Sequence, residues 1–144
     1  MSARILFICT GNIARSQMAE GLARSLAAPG VEVASAGTKP NSKGVHPLAL
    51  EMLREKGIDA SAQRTKHVDE LHGEFDFVIT LCDSAAQECL TYPTRRARLH
   101  WGLTDAAAAG GDPIRERALF HETCEELDRR LRDWMAKEGL LKKP

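Results

Sequence analysis

Residues 5–21 read Ile5-Leu6-Phe7-Ile8-Cys9-Thr10-Gly11-Asn12-Ile13-Ala14-Arg15-Ser16-Gln17-Met18-Ala19-Glu20-Gly21. An apolar run ends at a cysteine, small and polar residues follow, and a helical pattern starts beside an Arg-Ser pair. The run is brief and uninterrupted, as in a buried strand, and predicts one over 4–8. From Ser16 the period changes. Met18, Ala19, Leu22, Ala23 and Leu26 share one face of a helix predicted over 16–28, with Pro29-Gly30 as its stop.

Beyond this stretch the pattern repeats. Strands are predicted over 31–36, 75–81 and 97–101. Pro47 opens a helix to Lys56, with Leu48, Met52 and Leu53 inward and Gly57 as its stop. A short helix fits within 65–71, and residues 38–45 and 104–113 read as loops. Pro113 leads a long helix to about Lys137, striped by Phe120, Cys124, Leu127, Leu131, Trp134 and Met135. Strands alternating with helices imply an α/β fold: a single domain over 1–144, with a central four-stranded parallel sheet and helices on both faces.

Composition narrows the function. Apolar residues make up 43% and charged residues 28% of the 144, as in a globular protein that buries a core. Twenty basic residues balance twenty acidic ones, so there is no broad footprint for nucleic acid or a membrane surface, and any anion site must be local. No run approaches the ~20 apolar residues of a membrane span, and the first apolar run is too short for a signal peptide. The expected location is therefore cytoplasmic, where the cysteines Cys9, Cys82, Cys89 and Cys124 stay reduced. Their spacing is not that of a zinc site, which leaves thiol chemistry.

Cys9 falls at the carboxyl end of the first strand, where ligands bind in open α/β sheets. The small residues Thr10, Gly11, Asn12, Ile13 and Ala14 can turn backbone N–H groups inward as an anion nest, and the following helix adds its positive end. Arg15 can close the site with a bidentate fork on a tetrahedral oxyanion. The same field favours the thiolate of Cys9, a nucleophile to which Ser16 can donate a hydroxyl. A lone cysteine at a strand end is most often a small buried hydrophobe. Cys-x5-Arg-Ser between strand and helix is far more specific.

The stretch CTGNIARSQMAEG resembles the phosphate-binding loop of the low-molecular-weight protein tyrosine phosphatase superfamily. Within it the chain is most similar to the thioredoxin-coupled arsenate reductases, through VASAGT, HPLALEML, VITLCDSAAQEC and HWGLTD as well. The resemblance implies a three-cysteine relay. Cys9, with arsenate held by the loop and Arg15, forms a thiol–arsenic intermediate as Asp105 protonates the departing oxygen. Cys82 attacks Cys9 and releases arsenite; Cys89 then attacks Cys82, and thioredoxin reduces the Cys82–Cys89 disulfide. Arsenate and thioredoxin are the implied partners, with no cofactor, no metal, no nucleic acid, no membrane and a monomeric state. A glutaredoxin or small thiol as reductant remains open.

Cys82 and Cys89 are seven residues apart. On a helix that is two turns, ~10 Å, too far for a disulfide without backbone movement. The segment 82–93 is therefore expected to change conformation with redox state. Several positions depart from the family. Ala14 stands where many relatives have a further cysteine, and Asp105 is followed by Ala106 instead of proline. Asn12, Glu20 and Ser35 match residues that hold potassium in some arsenate reductases, but Lys66 stands where their acidic partner is expected, so no potassium site is assigned. Cys124 is read as core packing, and His100 and Trp101 as packing beside the site. Two rivals use the same loop. One is a phosphatase for phosphotyrosine or small phosphomonoesters, working with Cys9, Arg15 and Asp105 alone. The other is a non-enzymatic oxyanion-binding module.

Overall fold

The first strand, β1 (Ala3–Cys9), lies inside the sheet, between β2 (Val31–Gly37) and β3 (Phe75–Thr80), with β4 (Thr94–His100) beyond β3. The protein is described here from a computed structural model covering residues 2–83, 85, 92–108 and 111–144. All the strand pairs are parallel, with Cys9 opposite Gly37 at the end of β1 and β2. The chain leaves β1 toward β2 on one side and returns to β3 on the other. That reversal opens a crevice at the carboxyl end of β1.

The period of two along β1 sorts its side chains. Ile5, Phe7 and Cys9 enter a core shared with helices α1 (Arg15–Leu26), α2 (Pro47–Glu55) and α3 (Pro113–Glu138). Leu6 and Ile8 face a smaller cluster with Val68, Val78 and the helical residue Ala85. A strand buried on both faces has to be apolar throughout, which is why residues 5–8 carry no polar side chain. The α1 stripe Met18, Ala19, Leu22, Ala23 and Leu26 is buried as expected, and so is the α3 stripe except Trp134, which is half-buried. On α2 the inward residues are Ala49, Met52 and Leu53, with Leu48 only partly covered.

Most ends shift by a residue, and three departures are larger or change an element's character. Helix α1 stops at Leu26, not Ala28, because Ala27 is extended and pairs antiparallel with Leu141. Strand β4 starts at Thr94, so Arg95 and Arg96 lie within it. It pairs with β3 alone among the described residues, and an edge strand tolerates charge; Arg96 lays its guanidinium 4.7 Å over the Phe77 ring. The short helix within 65–71 is one 3-10 turn, Val68–Glu70, capped reciprocally by His67 and Glu70. The starts of α2 and α3 follow the Pro47 and Pro113 signals, with His46 and Asp112 accepting from the first-turn amides.

Candidate active site

Cys9 ends β1 with its side chain 2% exposed. Its Sγ accepts the Asn12 amide N–H at 3.2 Å and lies 2.9 Å from Ser16 Oγ. Both partners come from the chain immediately following, so the turn that makes the loop also surrounds the sulfur with polar groups. Asn12 takes φ +55°, a left-handed conformation that asparagine tolerates better than most residues. Its side chain is tied at each end: Nδ2 donates to Ser16 Oγ (2.7 Å) and Ser35 Oγ (3.0 Å), and Oδ1 accepts from the Lys66 amide (3.0 Å).

The loop carbonyls explain its chemistry. The oxygens of Cys9, Thr10, Gly11 and Ile13 accept the amides of Thr38, Lys39, Asn41 and His46, at 2.8–3.3 Å. The Asn12 carbonyl accepts Gln17 Nε2 at 2.9 Å, and the Ala14 carbonyl accepts the Met18 amide at 2.9 Å. Acceptors from 9 to 14 are thus committed outward or into α1. Helix α1 begins after Ala14 without a side-chain cap, which leaves its first amides for an anion. A loop with spent acceptors and open donors suits an oxyanion. Gly37 lets this second loop approach: a Cβ there would sit 2.5 Å from the Thr10 carbonyl oxygen.

Arg15, the first residue of α1, reaches the chain that follows β4. It donates to the Leu103 carbonyl at 3.1 Å and stands 3.5 Å from Asp105 Oδ2. Asp105 in turn accepts the Ala107 amide at 3.1 Å, capping the turn Ala106–Ala108. The missing proline after Asp105 is therefore replaced by a cap that also fixes the carboxyl. Cys82 follows β3, and its Sγ lies 3.2 Å from Thr10 Oγ1. So Cys9, Arg15, Ser16, Cys82 and Asp105 gather at one end of the sheet. Cys89 lies outside the described residues, as does most of the segment 82–93 expected to respond to redox state.

Behind the loop, Glu20 is 4% exposed and accepts from Ser35 Oγ at 2.6 Å. Arg24 pairs with it at 2.7 Å, and the Lys66 ammonium is 3.8 Å away. Burial pushes the Lys66 ammonium below its usual pKa, against the pull of Glu20. With two cations already serving one carboxylate, these residues do not fit a potassium ion. Cys124 sits apart on α3, and burial raises its thiol to about 11.

Several functional residues went unread in the sequence: the 38–46 loop, Gln17 with its bonds to Asn12 and the Arg64 carbonyl, and the environment of His100. Gly37 at the end of a strand was the one local sign of the loop's close approach.

The profile of the family described as low molecular weight phosphotyrosine protein phosphatase matches residues 4–143. The chain belongs to this family. It is 40% identical over 129 residues to an arsenate reductase of Halalkalibacterium halodurans, covering 89% of this chain and 91% of that one. The fold matches a thioredoxin-dependent arsenate reductase of Corynebacterium glutamicum at TM-score 0.72 and 33% identity, over 94% of this chain and 61% of the other. It also matches a low molecular weight protein tyrosine phosphatase from T. tengcongensis at TM-score 0.75 and 26% identity, over 94% and 99%. The chain is thus similar to proteins named for two chemistries, and a second thiol at the loop bears on which one this member performs.

Proposed function

We propose that this family member reduces arsenate to arsenite in the cytoplasm, with thioredoxin as the reductant. The observation that carries the reading is Cys82 Sγ at 3.2 Å from Thr10 of the oxyanion loop. A phosphomonoesterase needs one thiol; a second at the same loop gives a two-electron route.

In the first step the Cys9 thiolate attacks arsenic, an S–As bond forms, and one oxygen leaves as water. Arsenate takes over the Arg15 fork, which in the free protein is shared with Asp105. Asp105, released from Arg15, then takes a proton from a hydroxyl of the bound hydrogen arsenate and hands it to the departing oxygen. In the second step the Cys82 thiolate attacks Cys9 Sγ. The S–S bond forms, the S–As bond breaks, and arsenic keeps the electron pair, falling from As(V) to As(III). Arsenate and two thiols thereby become arsenite, water and a disulfide. Cys89 then exchanges with Cys82 and frees Cys9, and thioredoxin returns the last disulfide to thiols. The assignment of Cys89 rests on the sequence.

Mapping disulfides by mass spectrometry after one arsenate turnover without reductant tests this. The natural protein is expected to carry Cys82–Cys89, and Cys89→Ser to stop at Cys9–Cys82. Cys82→Ser is expected to form neither while still hydrolysing an aryl phosphate, the side activity its family supports. Sustained thioredoxin-driven turnover by Cys82→Ser would exclude the relay.

A further inference from the structure

His100 ends β4 with both ring nitrogens engaged. Nδ1 lies 2.8 Å from the hydroxyl of Thr80, a residue 2% exposed, and Nε2 lies 2.9 Å from Asp83 Oδ1. The Thr80 hydroxyl also donates to the Leu99 carbonyl, at 3.4 Å, so the contact with Nδ1 is the closer of its two. A carboxylate only accepts, so the contact to Asp83 is a hydrogen bond donated by Nε2–H. Gly102 makes room for the pair: a Cβ there would stand 3.3 Å from His100 Nε2 and 3.7 Å from Asp83 Oδ1.

The two anchors of this bridge flank Cys82. Up to Leu81 the chain is held by the sheet, through Leu81 to Ile8 (2.9 Å), Trp101 to Thr80 (2.8 Å) and Leu103 to Leu81 (3.1 Å). Asp83 is the next residue after Cys82, and its carboxylate, 94% exposed, reaches across to His100 at the end of β4. On the other side Cys82 Sγ meets Thr10 Oγ1.

We propose that His100 is a positioning residue for Cys82. By clamping Asp83 to the end of β4 it fixes the backbone on the outer side of Cys82, and the Thr10 hydroxyl orients the sulfur toward the loop. The clamp acts on the second step only, the attack of Cys82 on Cys9 Sγ, and leaves the reactivity of Cys9 alone. It rests on the reading of Cys82 as the second nucleophile. Because the Asp83 carboxylate stays in water, the expected contribution is that of a surface pair, about fivefold in rate.

The test uses Cys89→Ser protein, in which the Cys9–Cys82 disulfide accumulates, and follows its formation by rapid quench and mass spectrometry. Two oxidants are compared: arsenate, and the diazene diamide. With diamide, Cys9 adds to the N=N bond and Cys82 displaces the hydrazine, so two thiols are oxidised as the diazene is reduced. Asp83→Ala and His100→Ala are each expected to slow conversion of adduct to disulfide about fivefold, and the double variant no further. Asp83→Asn, which keeps an acceptor for Nε2, should restore the rate. Alkylation of Cys9 by iodoacetamide should be the same throughout. Unchanged conversion rates, multiplying effects in the double variant, or an equal fall in Cys9 alkylation would each overturn the clamp. If diamide yields the disulfide and arsenate does not, the reductase reading falls and the clamp is judged on the diamide rates.

Discussion

Cys9 and Cys124 are sealed from water almost equally, at 2% and 1% exposure, yet their surroundings oppose each other. Cys9 Sγ faces a backbone N–H and a hydroxyl at 3.2 and 2.9 Å. Cys124 packs in the core cluster among side chains such as Leu127, and burial raises its thiol to about 11. A lysine is near it: Lys56 pulls the thiol the other way. But Lys56 is itself held by Glu125 at 2.6 Å and Asp128 at 3.6 Å, and these carboxylates push the thiol up again. Burial alone therefore makes an inert thiol, and a neutralised cation does not rescue it. Donors fixed on the sulfur are what distinguish the loop cysteine.

The sharpest way to break the comparison is to exchange the roles. Cys9→Ser should abolish arsenate turnover, whereas Cys124→Ser should leave it within about twofold, since surface and core sites away from the chemistry act mainly through stability. Steady-state assays with thioredoxin and its reductase read both. Arg15→Ala should fall by at least ~10²-fold in kcat/KM, the usual loss when an oxyanion donor is removed. Turnover by Cys9→Ser, or a matching loss in Cys124→Ser, would erase the distinction.

A smaller effect probes why the loop holds its shape. Gly37→Ala places a methyl 2.5 Å from the Thr10 carbonyl, a backbone atom that cannot swing aside. The two loops must separate, at about 1–3 kcal/mol. Since the 38–46 amides then release the loop carbonyls, KM for arsenate should rise along with a lower Tm. A lower Tm with unchanged KM would mean the second loop supports stability but not the anion site.

The legible parts of this molecule were local. The strand, loop and helix of residues 5–21 could be read because each signal lies within a few residues of its effect: apolar continuity, small residues, then a change of period. The positions of Arg15 and Ser16 followed from the same turn. Strand β4 was read short, since Arg95 and Arg96 mask a strand whose stability comes from the neighbour it pairs with. The clamp of Thr38, Lys39, Asn41 and His46 on the loop was illegible, because backbone amides carry no sequence signature. His100 was read as packing for the same reason: its partners, Thr80 and Asp83, are brought to it only by the β3–β4 register. Lys66 beside Glu20 was legible only through the family resemblance, as the two are 46 positions apart in the chain.

The comparison also has a signature in stability that does not involve turnover. The Cys124 thiol titrates near 9.0 when free and about 11 in the folded protein. Below the lower value it is neutral in both states, and folding has its full stability. Between the two, the unfolded chain gives up the proton while the folded one keeps it, so stability falls as pH rises, and the loss is complete above about 11. Each unit of difference is worth about 1.4 kcal/mol, so the loss approaches about 3 kcal/mol in all. Urea unfolding of natural protein and Cys124→Ala from pH 7 to 11 isolates it, because Lys56 and the other alkaline groups titrate in both. The variant loses the packing of one sulfur, about 1 kcal/mol at neutral pH. It should then decline less steeply above pH 9, and the two stability curves should converge or cross. Parallel curves would mean that Cys124 ionises as easily folded as unfolded, and burial would not be what keeps it inert.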